Sequence, residues 1–428
     1  MKTKNELIKL REKYLSPSLS LSYDVPLYIT KGRGQYLFDQ KGKKYLDCIN
    51  NIQHIGHSHP RILNTALKQF KELNTNTRYL DENIINYAQD LVKTVPKNLE
   101  ICFFTNSGSE SNDLALRLAR QMTGCKETIV FDGAYHGHLI SLIEISPYKY
   151  KGKGGMEPPD YVYEIPMPDQ FRGKYRGINS TNYYLKELEK SIAKIKNKNR
   201  IPIFIYESFM GCGGQLVLPI HFLKKAQDLI REAGGICIAD EVQIGFGRIG
   251  THFWGFEYHG VEPDIVTLGK SIGNGHPLSV VITSREIANN FHNGMEYFNS
   301  FGGNPVSAAI GHEVLRVIKE EKLQQNASLV GSSLKSMLME LKNIHDIIGD
   351  VRGEGLFLGI EMVDDKKSLK PLTKTAKTIV NQMKDHGVLL STDGPENNVI
   401  KIKPPMVFSS ENASFLVDKL DSILKKYD

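Results

Sequence analysis

The sequence predicts an α/β fold: a mostly parallel central sheet in a large domain, plus a smaller α+β domain built from both chain ends. Three observations predict it. Between residues 101 and 283, short apolar runs rich in β-branched and aromatic residues alternate with stretches of helical periodicity, the pattern of parallel strands covered on both faces. The flanks lack that rhythm, with strand-like runs around Gly32, Gly34 and Gly42 at one end and alternating strand and helix over 350–428 at the other. At 428 residues the chain is also too long for one compact core, so two domains are expected.

The elements follow in order. Strands are expected at 101–105, 128–131, 203–206, 236–239, 265–268 and 278–283, each a short continuous apolar run. After the first strand, Leu114, Ala115, Leu118, Ala119 and Met122 recur on one face of a helix. A second helix is expected near 220–233 and further helical sequence over 305–343. Neither flank is large enough for a core of its own. Residues 1–60 are therefore expected to join residues 310–428 in the smaller domain, with 61–309 forming the large one.

Composition narrows the classes. With 40% hydrophobic and 24% charged residues the chain is of ordinary globular type. The net charge of +6 is mild, and the lysine clusters at 149–153 and 194–200 read as solvated faces. A small phosphorylated substrate is compatible with that balance, and no nucleic-acid motif is present. Five cysteines, an odd number without Cys-x-x-Cys spacing, point to a reducing compartment and a cytoplasmic protein. The His57-Ser58-His59 and His136-Gly137-His138 pairs lack a third ligand at metal spacing, so no metal is expected. The first 22 residues carry charges up to Lys13 and have no signal-like apolar core. The most apolar long stretch, 201–223, is broken by Glu207, three glycines, Pro219 and His221, which excludes a membrane span.

The chemistry centres on Lys270 in Thr267-Leu268-Gly269-Lys270-Ser271-Ile272-Gly273, directly after an apolar strand. A lysine ringed by Gly and Ser leaves room for a flat cofactor, and a partly desolvated amine suits a Schiff base; taken alone, an ordinary turn lysine looks the same. Asp240 ends the run Ile236-Cys237-Ile238-Ala239, at the sheet edge where open α/β folds bind ligands. A carboxylate beneath a pyridine nitrogen keeps it protonated, and the cationic ring absorbs carbanion electrons. Val242 and Gln243 follow, placed to pack on that ring and to bond its phenolic oxygen. Ser107-Gly108-Ser109 opens the helix after strand 101–105. Its backbone N–H groups, dipole and hydroxyls form a phosphate cradle, although a plain serine-capped helix has the same look. Tyr135, before His136 and Gly137, is placed either to stack on a ring or to pack in a turn.

Together these motifs resemble the class III aminotransferases of the fold-type I pyridoxal-phosphate enzymes. The likeness runs from Tyr45-Leu46-Asp47 and Gly56-His57-Ser58-His59-Pro60 through Gly245-Phe246-Gly247-Arg248 to Arg352-Gly353-Glu354-Gly355-Leu356. The resemblance implies that Lys270 is the Schiff-base lysine and Asp240 the pyridine partner. Gly108, Ser109, Tyr135, His136, Glu207, Val242 and Gln243 complete the cofactor contacts. It also implies a homodimer in which Ser300, in Asn299-Ser300-Phe301-Gly302-Gly303, reaches the phosphate of the neighbouring subunit's cofactor.

Two departures from the family pattern bear on the substrate. Many members that handle amino acids carry a carboxylate-binding Arg separated by two residues from the Pro-Pro-Met/Leu motif, gated by a Glu in a glycine turn. Here Lys401 stands at the first place and Cys212, in Gly211-Cys212-Gly213-Gly214, at the second. Arginine suits bidentate carboxylate binding, whereas lysine is a point charge suited to phosphate. The stretches Ile145-Ser146-Pro147-Tyr148-Lys149, Arg172-Gly173-Lys174-Tyr175-Arg176 and Ile402-Lys403-Pro404-Pro405-Met406 are similar to the ammoniophospholyase subgroup. That likeness implies a phospho-lyase, first for ethanolamine phosphate, with 5-phosphohydroxylysine as the alternative. Lys401, Lys403, Arg78 and Asn51 are the candidates to hold the substrate phosphate. An ω-aminotransferase and a non-catalytic cofactor-binding protein are the remaining readings.

Overall fold

The structure, a computed structural model, describes residues 2–427. Its centre is a seven-stranded sheet in the order Ile101–Thr105, Ser279–Thr283, Ile265–Leu268, Ile236–Asp240, Ile203–Glu207, Thr128–Phe131, Val162–Ile165. Only Ser279–Thr283 runs antiparallel to its two neighbours, and the other pairings are parallel. The central strands are buried along their whole length, which is why they read as unbroken apolar runs rather than alternating ones. Helices on both faces remove them from water. The six strands and the two helices expected around this sheet are present, and Val162–Ile165 is an additional edge strand with a mixed burial pattern.

The chain ends meet. Ile29–Arg33, Tyr36–Asp39 and Lys44–Asp47 form an antiparallel meander, and Lys44–Asp47 then pairs in parallel with Val388–Leu389 from the other end of the sequence. A separate antiparallel sheet holds Ile348–Glu354, Phe357–Met362, Val399–Ile402 and Ser391–Asp393 in that order. The helix Leu323–Ile344 crosses it, with Gly331 seated directly on Gly355. One helix, Pro305–Glu320, runs straight through a division at 309–310. Its continuous hydrogen bonds make it a single rod, packed on Pro60–Glu72 and Glu82–Val92.

Several of the family-like motifs are joints. Arg248 is 1% exposed and donates to the Leu356 carbonyl (3.1 Å) and the Pro404 carbonyl (2.8 Å), with His54 Nδ1 at 3.0 Å. Burial pushes its guanidinium down to about 9. Arg352 bonds the Gly214 carbonyl at 2.8 Å and Glu361 at 2.5 Å, tying the 211–214 turn to the C-terminal sheet. The Lys403 backbone N–H bonds the Cys48 carbonyl at 2.7 Å. Both chain ends therefore come together against the segments that follow the inner strands Ile203–Glu207 and Ile236–Asp240. Among the described residues, no helix is long and apolar enough to cross a membrane, and no cluster of three or more His, Cys, Asp or Glu side chains could hold a metal ion.

Candidate active site

A cavity of about 210 Å³ opens at the carboxyl ends of the central strands, lined among others by Gly108, Ser109, Tyr135, Asp240, Val242 and Lys270. One wall is the start of the helix Gly108–Thr123. Ser107 caps it by accepting from the Glu110 N–H at 3.2 Å. Ser109 Oγ meets His138 twice, accepting from its backbone N–H at 3.2 Å and lying 3.1 Å from Nδ1. A Cβ on Gly108 would come within 2.8 Å of Val242, and one on Gly269 within 3.2 Å of the Gly108 Cα. Only glycine allows the helix start and the Lys270 loop to approach this closely.

Asp240 lies at the floor, 5% exposed, and its orientation is fixed from three sides. Oδ1 accepts from the Val242 N–H at 3.1 Å; Oδ2 accepts from Asn112 Nδ2 at 2.8 Å and lies 2.8 Å from His136 Nδ1. Asn112 also donates to the His136 carbonyl (2.7 Å) and accepts from Thr267 Oγ1 (2.6 Å). Sequence reasoning gave Asn112 and His138 no role. The signal for Asn112 was a polar residue among the buried positions of its helix, which it shares with Ser109 and Ser111.

Glu207 stands beside Asp240 in strand register. It is fully buried and lies outside the cavity lining, accepting from the Tyr135 N–H at 3.2 Å and the Gly211 N–H at 2.9 Å. Burial pushes it up to about 6. It therefore holds the Tyr135 loop and the 211–214 turn in place rather than facing a ligand.

Lys270 begins a short 3₁₀ turn with φ of 35°. Left-handed backbone is uncommon for a residue with a side chain and marks a position held by its surroundings. His136 Nε2 is buried without a hydrogen-bond partner among the described residues.

Beyond Gln243 lies a charge cluster. Lys401 Nζ is 3.1 Å from Asp393 Oδ1; Lys403 Nζ is 3.0 Å from Gln243 Oε1 and 3.8 Å from Asp393 Oδ2. Cys212 adjoins this cluster, and burial pushes its thiol up to about 12, which disfavours the thiolate. Cys212 also lines a second cavity of about 390 Å³ with Tyr148, Lys149 and Lys151. The remaining candidates stand apart within one chain. Arg78 is exposed, 3.1 Å from Glu296 and stacked 4.1 Å over the Phe298 ring. Asn51 is buried with its Nδ2 unpartnered, and Ser300 is exposed on its loop; neither lines the cavity.

Residues 20–424 match the family described as Aminotransferase class-III. The chain belongs to this family. Among its class III relatives, the alanine–glyoxylate aminotransferase 2-like protein of Drosophila melanogaster is 48% identical over 96% of this chain and 85% of its own. The ethanolamine-phosphate phospho-lyase homolog 1 of Caenorhabditis elegans is 39% identical over 99% of this chain and 94% of its own. Among solved structures, a phospholyase from Arthrobacter in complex with phosphoethanolamine superposes with a TM-score of 0.93. It is 36% identical and covers 98% of this chain and 99% of that one. The fold is fold-type I, and the cofactor is pyridoxal phosphate.

The class III cavity fits that cofactor on its own chemistry. A helix start with two serines suits a phosphate, two glycines hold open a slot that any Cβ would narrow, and a triply held carboxylate lies below it. Lys270, Asp240, Gly108, Ser109, Tyr135, Val242 and Gln243 line the cavity together, as a single binding site requires.

Proposed function

We propose that the protein is a pyridoxal-phosphate-dependent phospho-lyase that converts ethanolamine phosphate to acetaldehyde, ammonia and phosphate. The observation that carries this reading is two lysines sharing one carboxylate: Lys401 and Lys403 both face Asp393, where amino-acid-handling relatives place an arginine. With both amines protonated the trio is left with a positive charge. Lys403 is 2% exposed, so water does little to screen that charge, which attracts an incoming phosphate dianion. Lys401, with 22% of its side chain exposed, is the one to touch the ligand. The names of the Caenorhabditis relative and the Arthrobacter structure support the same substrate class.

Pyridoxal phosphate, when bound, supplies an electron-withdrawing ring that makes the C–H beside the substrate nitrogen acidic. Lys270 Nζ takes that proton as general base. Asp240, clamped by Asn112 and His136, holds the positive charge of the ring nitrogen in place. The bond from the adjacent carbon to the phosphate oxygen then breaks, its electron pair leaving with phosphate, and Lys401 stabilises the growing negative charge. Water supplies the oxygen of acetaldehyde, and ammonia is released. No amino acceptor enters.

The test is holoenzyme with ethanolamine phosphate and no keto acid, followed for inorganic phosphate and acetaldehyde; 5-phosphohydroxylysine offered in parallel decides between the two phospho-lyase substrates. Product that appears only with pyruvate or 2-oxoglutarate would make the protein an ω-aminotransferase; the Drosophila relative is likewise named for an aminotransferase. Lys401→Ala should lower kcat/KM for phosphate release about 100-fold, as for loss of one charge-stabilising donor, with the cofactor absorbance retained.

The enzyme acts as a homodimer on this reading. Leu63, Leu67 and Phe70 form one exposed apolar stripe on the helix Pro60–Glu72, and Phe298 and Phe301 are exposed on the loop against which Arg78 stacks. A second copy covers this face, and Ser300 on the same loop reaches its partner's cofactor. The unpaired cysteines suit the cytoplasm.

A further inference from the structure

Lys403 is a buried cation next to the cofactor cavity, and its best partner is an amide. Nζ lies 3.0 Å from Gln243 Oε1, 3.8 Å from Asp393 Oδ2 and 5.1 Å from the centre of the Phe357 ring. An ammonium only donates, so the amide edge that faces it is the oxygen. The opposite edge, Nε2, rests against Gly211, where a Cβ would collide with it, and it makes no hydrogen bond among the described residues. Gln243 lines the same cavity as Lys270 and Asp240. It therefore brings an unused pair of N–H donors to the cofactor site.

We propose that Lys403 is a positioning residue that, by holding Gln243 Oε1, aims Gln243 Nε2 as a donor at the phenolic oxygen of the bound pyridoxal ring. With the amide turned the other way, its oxygen would face a phenolate and repel it. A donor on that oxygen weakens the hold of the phenolate and the Lys270 nitrogen on the proton they share, and a cation nearby acts in the same direction. The charged groups facing Lys403 are Asp393, which favours its ammonium, and Lys401 and Lys270, which oppose it; the Cys212 thiol completes the set. Burial outweighs them and brings the amine down to about 8, so its charge is present near neutral pH and fades above it. This role concerns the cofactor alone, so it stands or falls separately from the identity of the substrate.

The experiment is a pH titration of the visible cofactor absorbance of the holoenzyme without substrate. Lys403→Met should raise the midpoint by about one unit, a tenfold change in proton affinity, while Lys403→Arg keeps it near the parent value. Gln243→Met should raise it too. Combining Gln243→Met with Lys403→Met should add less than it does to the parent, because one acts through the other. Unchanged midpoints in Lys403→Met and Gln243→Met overturn the proposal, as does full additivity. A lysine that merely fills space would lower the melting temperature and leave the midpoint alone. Should Lys403→Met take up no cofactor, the neutral Lys403→Gln decides: an upward shift supports the role and an unchanged midpoint removes it.

Discussion

Asn112 lines the cofactor cavity and supports its floor. Its amide ties Asp240 Oδ2 to the His136 carbonyl, and Thr267 fixes which end of the amide points where. Removing it leaves Asp240 with His136 and one backbone N–H, and leaves the Thr267 hydroxyl without its acceptor. A buried polar group deprived of its partner costs about 1–3 kcal/mol. Asn112→Ala should therefore weaken cofactor affinity about tenfold or more, measured by fluorescence titration of the apoenzyme, with the fold retained. Full affinity would mean that His136 alone sets the carboxylate.

At the scale of elements, close backbone approaches position the site. Gly331 in the helix Leu323–Ile344 packs on Gly355 of the Arg352-Gly353-Glu354-Gly355-Leu356 turn, and a Cβ there has no room. The same turn carries Arg352, which holds the Gly214 carbonyl and with it the glycine turn beside Gln243. Gly331→Ala should lower stability by about 1–3 kcal/mol, the usual cost of overpacking, seen as an earlier denaturant midpoint with an unchanged slope. It should also weaken cofactor binding, because the helix cannot move without shifting the turn. Stability lost with cofactor binding intact would separate the two.

For the whole molecule, the exposed apolar stripe sets the expectation. Leu63, Leu67 and Phe70 are each more than half exposed, an arrangement that monomers seldom keep. Leu67→Asp combined with Phe70→Asp should convert a dimer to monomers in sedimentation, and the monomers should lose cofactor because Ser300 no longer reaches across. A parent protein that sediments as a monomer at micromolar concentration, with its cofactor bound, would remove the dimer from the proposal.

The sequence by itself determined the fold class and the ordered cofactor motifs. The central strands are unbroken apolar runs because they are buried on both faces, and local composition carries that burial directly. The Lys270 loop, the Ser107-Gly108-Ser109 helix start and Asp240 were legible because each pairs unusual residues with a strand end. Other features were not legible, because they depend on residues far apart in the chain. Asn112 matters only because the helix that carries it lies over Asp240, 128 positions away. Lys403 read as a substrate ligand, yet its amine turns inward to Gln243, 160 positions earlier. Arg78, read the same way, lies out on the surface against Glu296. Sequence records which charges a chain carries, whereas their depth and partners are settled only when distant segments pack, and that packing decides whether a lysine faces solvent, a ligand or another side chain.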